Sequence, residues 1–126
     1  MRLFCMDNQF EQVRDIWVNA FFTGNYEVLA RYEDEHFKVI YEKEGITEGS
    51  ATRYEKIADA VKNGVWKPQK PNVQSEEYEF DEDNTHCKVI IELEADGTLI
   101  EEQWAFYDEW KIIELKFCKT KHAKHH

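Results

Sequence analysis

The sequence predicts an α+β fold: a curved antiparallel sheet wrapped around a long N-terminal helix, with two further helices, forming a conical pocket. Three observations predict it. Phe10, Val13, Trp17, Ala20 and Phe21 recur at helical spacing. Tyr54, Ile57, Ala58 and Val61 form a second stripe at i, i+3, i+4 and i+7. From Cys87 to Lys119, apolar and polar residues alternate with a period of two, interrupted twice by turn signals, as in two β-hairpins that share a strand.

In chain order, Asn8 with Glu11 resembles a capping box at the start of the first helix. Gly24 suits the residue just past its end. Asn25 can cap a short second helix through Tyr32, with Val28, Leu29 and Tyr32 apolar. His36 to Glu42 reads as a strand in which Phe37, Val39 and Tyr41 share a face. Gly45 and Gly49 bracket a turn or a short return strand. Ser50 is the expected N-cap of the third helix, which ends at Asn63-Gly64. Val65 to Lys70 is expected as a short edge segment, kept from a sheet centre by Pro68 and Pro71. Val73 to Phe80 reads as a strand and Asp81 to Asn84 as a turn. Lys119 to His126 is a basic, His-bearing tail. A single domain therefore spans 1–126, with an ordered core of about 8–119 and a tail at 120–126.

The hairpins set which side chains share a face. Asp96-Gly97 fits a two-residue type I′ turn, where both central residues need positive φ. That turn pairs Leu93 with Ile100, Ile91 with Glu102, Val89 with Trp104 and Cys87 with Phe106, all on one face. A second turn at Asp108-Glu109 pairs Tyr107 with Trp110, Trp104 with Ile113, Glu102 with Leu115 and Ile100 with Phe117. The opposite face receives Glu101 against Lys116, a favourable pair. It also receives Ile90, Leu99, Ala105, Tyr107, Trp110 and Ile112. So large an apolar patch is expected to be covered by a homodimer through the outer sheet face.

Composition narrows the function classes. Eight Phe, six Tyr and four Trp, against two Pro and five Gly, exclude a disordered or low-complexity chain. A net charge of −10 disfavours binding nucleic acid or an anionic membrane. Cys5, Cys87 and Cys118 are odd in number and form no CxxC, so neither a disulfide framework nor a zinc knuckle is expected. Met1 to Met6 is too short an apolar run for a signal peptide, and no stretch approaches the ~20 apolar residues of a membrane helix. A cytoplasmic setting follows as the expectation.

Several stretches together resemble the nuclear transport factor 2-like superfamily, which includes polyketide cyclases and ketosteroid isomerases. They are Val13-Arg14-Asp15-Ile16-Trp17, Thr23-Gly24-Asn25-Tyr26 with Leu29, Phe37-Lys38-Val39-Ile40-Tyr41, Glu48-Gly49-Ser50, and Trp104-Ala105-Phe106 with Trp110-Lys111-Ile112-Ile113. The resemblance covers roughly residues 8 to 119 and implies a fold rather than an activity. It implies a ligand on the concave face and dimerisation through the outer one. The isomerase branch places a catalytic Asp near where Val39 to Tyr41 fall. No Asp stands there, which counts against a ketosteroid isomerase-type proton shuttle.

Glu102 is the candidate catalytic residue. A carboxylate among Ile91, Ile100, Trp104 and Leu115 is costly to hold charged, which suits a general acid or base, or a neutral donor to a ligand oxygen. The alternative is that Glu102 lies at the open rim or pairs with a Lys or Arg from a helix. Trp17, Tyr41, Tyr54, Ile91, Trp104, Ile113 and Leu115 are the expected ligand-binding residues. For the aromatic ones, core packing is the favoured role. Tyr32 is a further candidate to point a hydroxyl inward. His36 is out of phase with its apolar neighbours and His86 lies on the Lys88 face, so both are expected in solvent. His122, His125 and His126 offer no fixed ligand spacing on an ordered element, and no metal or cofactor is implied. The acidic run from Glu76 to Asp83 reads as a solvated strand edge.

The expected function is binding of a compact apolar or aromatic molecule in the cone, with isomerase, cyclase or dehydratase chemistry at Glu102. The rival is a non-catalytic acidic dimeric module whose cavity is filled by its own side chains.

Overall fold

The computed structural model describes residues 2–118, with side chains from residue 9 onward. Helix α1 (Arg2–Thr23) and helix α2 (Tyr26–Tyr32) precede strands β1 (Glu33–Tyr41) and β2 (Ile46–Gly49). Helix α3 (Ser50–Lys62) is followed by β3 (Val73–Phe80), β4 (His86–Leu93), β5 (Leu99–Tyr107) and β6 (Glu109–Phe117). The strands form one curved, unclosed sheet in the order β2-β1-β6-β5-β4-β3. All neighbours are antiparallel except β1 and β6, which run parallel. The sheet is thus mixed rather than wholly antiparallel, because α3 and the β3–β5 meander separate β1 from its β6 neighbour and the chain returns along the same direction. Among the described residues no helix is long and apolar enough to cross a membrane.

Local chemistry explains most boundaries. Asn25 caps α2, its side-chain oxygen accepting from Val28 N at 3.3 Å. Asn8 does not start α1, because the helix already runs from Arg2. Ser50 is not the cap of α3 either. Gly49 holds that position, and the Ser50 hydroxyl donates to Phe37 O at 3.2 Å, tying the helix to β1. Val65 to Lys70 forms no strand. Trp66 instead anchors that stretch, donating its indole N–H to Phe21 O at 2.8 Å. The tail histidines and the Cys5 side chain lie outside the described residues.

The β4–β5 register differs from the expected one by two residues: Val89 faces Glu102, Cys87 faces Trp104 and Ile91 faces Ile100. The reason is the turn. Gly97 has φ 72 but Asp96 is not in the positive-φ region, so a type I′ turn cannot form. The chain closes a longer loop instead, with Leu93 N bonded to Thr98 O and the Asp96 carboxylate accepting from Thr98 N and Oγ1. An even slip leaves every side chain on its face.

The β5–β6 register matches expectation from Ile100–Phe117 through Gln103–Glu114. It then shifts, so that Trp104 faces Ile112 rather than Ile113, and Phe106 faces Trp110. One extra residue, Ile113, is accommodated by this bulge. The consequence is a change of face for the residues beyond it. Trp110 and Ile112 are fully buried core residues, not outer-face ones, and Ala105 is buried as well. Of the expected outer apolar patch only Ile90, Leu99 and Tyr107 retain exposure.

Helix α1 lies on the concave face. Phe10 is fully buried and meets Tyr78, Phe80, Trp104 and Trp110 edge-on at centroid distances of 5.1–5.6 Å. Edge-on contact suits the ring quadrupoles, and burying one such side chain contributes about 2–3 kcal/mol. Trp17, two turns on, meets Trp104 at 5.6 Å. Between the two rings the same helix face carries Arg14, a charge inside an otherwise apolar layer.

Candidate functional site

Two buried ion pairs divide the interior. In the first, Arg14 Nε and Nη2 donate to the two carboxylate oxygens of Glu102, both at 2.7 Å. Trp104 Nε1 donates to Glu102 Oε1 at 2.8 Å. Arg14 also reaches the Tyr78 hydroxyl at 3.4 Å and Glu76 at 3.3 Å, so one residue of the acidic run leans in from its edge. Burial alone would lower the Arg14 pKa, but the Glu102 bonds and charge outweigh it and hold the pKa above the ordinary value. Glu102 is 2 % exposed. It faces inward as the strand phase predicts, and its oxygens are occupied by a helix arginine and a tryptophan.

In the second pair, Glu33 at the start of β1 accepts from Arg53 Nη1 at 2.8 and 2.9 Å. It also accepts from Trp17 Nε1 at 2.8 Å and from the Tyr54 hydroxyl at 2.5 Å. Burial pushes the Tyr54 phenol pKa up, and the bond to Glu33 pushes it further the same way. Arg53 stacks over Phe37 at 5.2 Å. Neither Glu33 nor Arg53 is marked by apolar periodicity. The available signal is positional: Arg53 precedes Ile57 by one helical turn and so shares its buried face.

Beside this second pair opens a half-enclosed cavity of about 160 Å³. Its walls are Trp17, Val18, Phe21 and Phe22 from α1, Val39 and Tyr41 from β1, Arg53 from α3, and Leu115 and Phe117 from β6. Tyr41 and Phe117 stack at 5.2 Å with parallel planes, fixing one wall. Burial raises the Tyr41 pKa, with Glu48 adding to the rise and Arg53 and Lys56 opposing it.

Of the expected ligand-binding residues, Trp17, Tyr41 and Leu115 line this cavity. Ile91 and Trp104 are core. Tyr54 is spent on Glu33, and Ile113 sits in the bulge. Tyr32 packs against the core without reaching the cavity, with Arg31 over its ring. Glu102 is not among the lining residues, so the cavity and the candidate acid are separate features. His36 is exposed beside Glu35, and His86 is exposed with its ring nitrogen 3.2 Å from Asp81. Among the described residues no cluster of His, Cys, Asp and Glu is placed to hold a metal ion.

The same architecture occurs in solved structures. An NTF2-like protein from Cytophaga hutchinsonii superposes with a TM-score of 0.66 at 15% identity, covering 87% of this chain and 94% of its own. The chain has the nuclear transport factor 2-like fold. An NTF-2 like protein of unknown function from Silicibacter pomeroyi matches with a TM-score of 0.62 at 13% identity, over 88% of this chain and 92% of that one. The CamKII hub homology domain of Chlamydamonas reinhardtii matches with a TM-score of 0.60 at 18% identity, over 90% and 98%. No family model matches the sequence. No curated protein matches it either. In nuclear transport factor 2-like terms, the cavity lies between the long helix and the concave sheet face, at the β1–β6 side where the two strands run parallel.

Proposed function

We propose that the protein binds one compact, largely apolar molecule in the cavity between α1, β1 and β6. The observation that carries this reading is the cavity itself: about 160 Å³ of open space walled by Trp17, Phe21, Phe22, Val39, Leu115 and Phe117. A space of that size accommodates a benzene-sized molecule, and apolar walls with few polar groups are the usual composition of a ligand site. Open space on this side of the cone supports this reading over a module whose cavity is filled by its own side chains. Acid–base chemistry at Glu102 is not part of it. Both of that residue's oxygens already accept hydrogen bonds, and none of the cavity wall is Glu102.

The test is titration of the full chain with toluene, followed by the Trp17 indole N–H resonance. Saturable movement of that resonance is the expected result, and Val18→Trp, which fills the cavity, should abolish it. No response in the wild-type protein to toluene or to its polar analogues benzamide and benzoate would overturn the reading.

A further inference from the structure

Building on that cavity reading, we propose that the ligand is a small carboxylate of benzoate size, its ring between Trp17, Phe21 and Phe117 and its head on the Nε–Nη2 edge of Arg53. Arg53 is the one charged residue among those lining the cavity. It is 7 % exposed, so its head group is held rather than free in solvent. Both bonds to Glu33 leave from Nη1. Among the described residues neither Nε nor Nη2 donates a hydrogen bond, and neither is a fully enclosed orphan. The edge left open is the one whose parallel N–H groups match the two oxygens of a carboxylate.

Two further observations fit an acceptor head at this point. Glu33 does not spend its charge on Arg53 alone, since Trp17 and Tyr54 also donate to it. The guanidinium therefore keeps positive potential on its far edge, in a site of low dielectric where such an edge acts strongly. Besides Arg53 and Trp17, whose indole N–H is taken by Glu33, Tyr41 is the remaining lining residue with a polar group. Its hydroxyl makes no hydrogen bond among the described residues, and burial keeps the phenol protonated as a donor. A ligand with an apolar body and two acceptor oxygens matches the apolar wall and the two lining side chains, Arg53 and Tyr41, that keep donors to spare. A cationic ligand would face Arg53, and a purely hydrocarbon one would leave the fork without a partner, at a cost.

The experiment compares benzoate, its neutral isostere benzamide, and toluene on the full chain at neutral pH, read at the Trp17 indole resonance. Benzoate should bind at least about tenfold more tightly than benzamide, as expected when a charge-assisted fork replaces a neutral contact. Tyr41→Phe should weaken benzoate several-fold, and Arg53→Lys should remove its preference over benzamide. Arg53→Lys disturbs the Glu33 pair and risks the fold, so the wild-type comparison and Tyr41→Phe carry the decision. Benzamide or toluene binding as tightly as benzoate, or Tyr41→Phe leaving benzoate untouched, overturns the carboxylate assignment and leaves the cavity reading standing. Silence of the Trp17 resonance to all three overturns both.

Discussion

Arg14 of α1 and Glu102 of β5 face each other fork to fork, Nε to Oε1 and Nη2 to Oε2, both at 2.7 Å and both buried. The pair joins the long helix to the centre of the sheet. Desolvating two charges is expensive, so such a pair adds little over well-packed apolar residues, whereas removing one partner strands the other. Glu102→Gln should therefore lower the stability of the fold by about 3 kcal/mol, measured by urea unfolding. The double variant Arg14→Met with Glu102→Leu should recover most of that loss. Below its midpoint, Glu102→Gln should still bind toluene at Trp17. An unchanged midpoint would show that Glu102 does not hold the helix to the sheet.

The Tyr54–Glu33 bond gives a pH dependence of definite sign. The unfolded phenol releases its proton near the ordinary value of 10.0, and the folded one holds it to higher pH. The associated stability is complete below pH 10 and falls as the pH rises through the window between the two values. Tyr41 and Tyr78 are shifted in the same direction by burial. Tyr54→Phe should cost about 1.5 kcal/mol at neutral pH, a low value for a bond to a charged group. It should also flatten the loss of stability above pH 10. Thermal melts at several alkaline pH values decide it, and a slope identical to wild type would remove Tyr54 from the account.

Strand phase alone carries much of the interior. The alternation from Cys87 to Leu93 and from Ile100 to Phe106 turns Glu102 inward even though the hairpin is two residues out of the expected register, because an even slip preserves parity. The bulge at Ile113 is different. An odd insertion reverses parity, and nothing in Trp110-Lys111-Ile112-Ile113 distinguishes which of the apolar residues is the extra one. Trp110 and Ile112 therefore look external when they are core. The charged network escapes for another reason. Apolar periodicity counts only apolar residues, so it does not single out Arg14 between Phe10 and Trp17 or Arg53 a turn before Ile57, although pairing of Glu102 with a helix Lys or Arg is the alternative that the strand phase leaves open. A charge placed on an apolar stripe is itself a signal for a buried partner, and here each stripe arginine has one: Glu102 and Glu33. Glu33 is hidden further, since β1 begins three residues before the alternating run that marks it.

The link between α1 and α2 is set by Gly24, which has φ +73 and no room for a side chain. A Cβ there would lie 2.5 Å from Val61 Cγ2 and 2.8 Å from Trp66 Cδ1. Gly24→Ala must accept a left-handed backbone and displace α3 or Trp66 as well. The two effects together should cost about 2 kcal/mol. The Trp66 indole resonance should move, since its N–H bond to Phe21 O lies beside the intruding methyl group. A variant with wild-type melting temperature and an unmoved Trp66 signal would contradict this packing.

Trp104 and Trp110 offer a matched comparison, because each is 1 % exposed and both pack on Phe10. Trp104 donates its indole N–H to Glu102 at 2.8 Å. Trp110 Nε1 is buried without an acceptor among the described residues. Replacement by Phe removes the same volume at both sites, so the cavity cost is comparable. At Trp104 the change also deprives a buried carboxylate of a donor. At Trp110 it removes a donor whose desolvation was never repaid by a bond. Trp104→Phe should therefore destabilise the protein by about 2 kcal/mol more than Trp110→Phe. Paired urea unfolding curves measure the difference directly, and equal losses, or a larger loss at Trp110, would mean that the Trp110 N–H has a partner in solution.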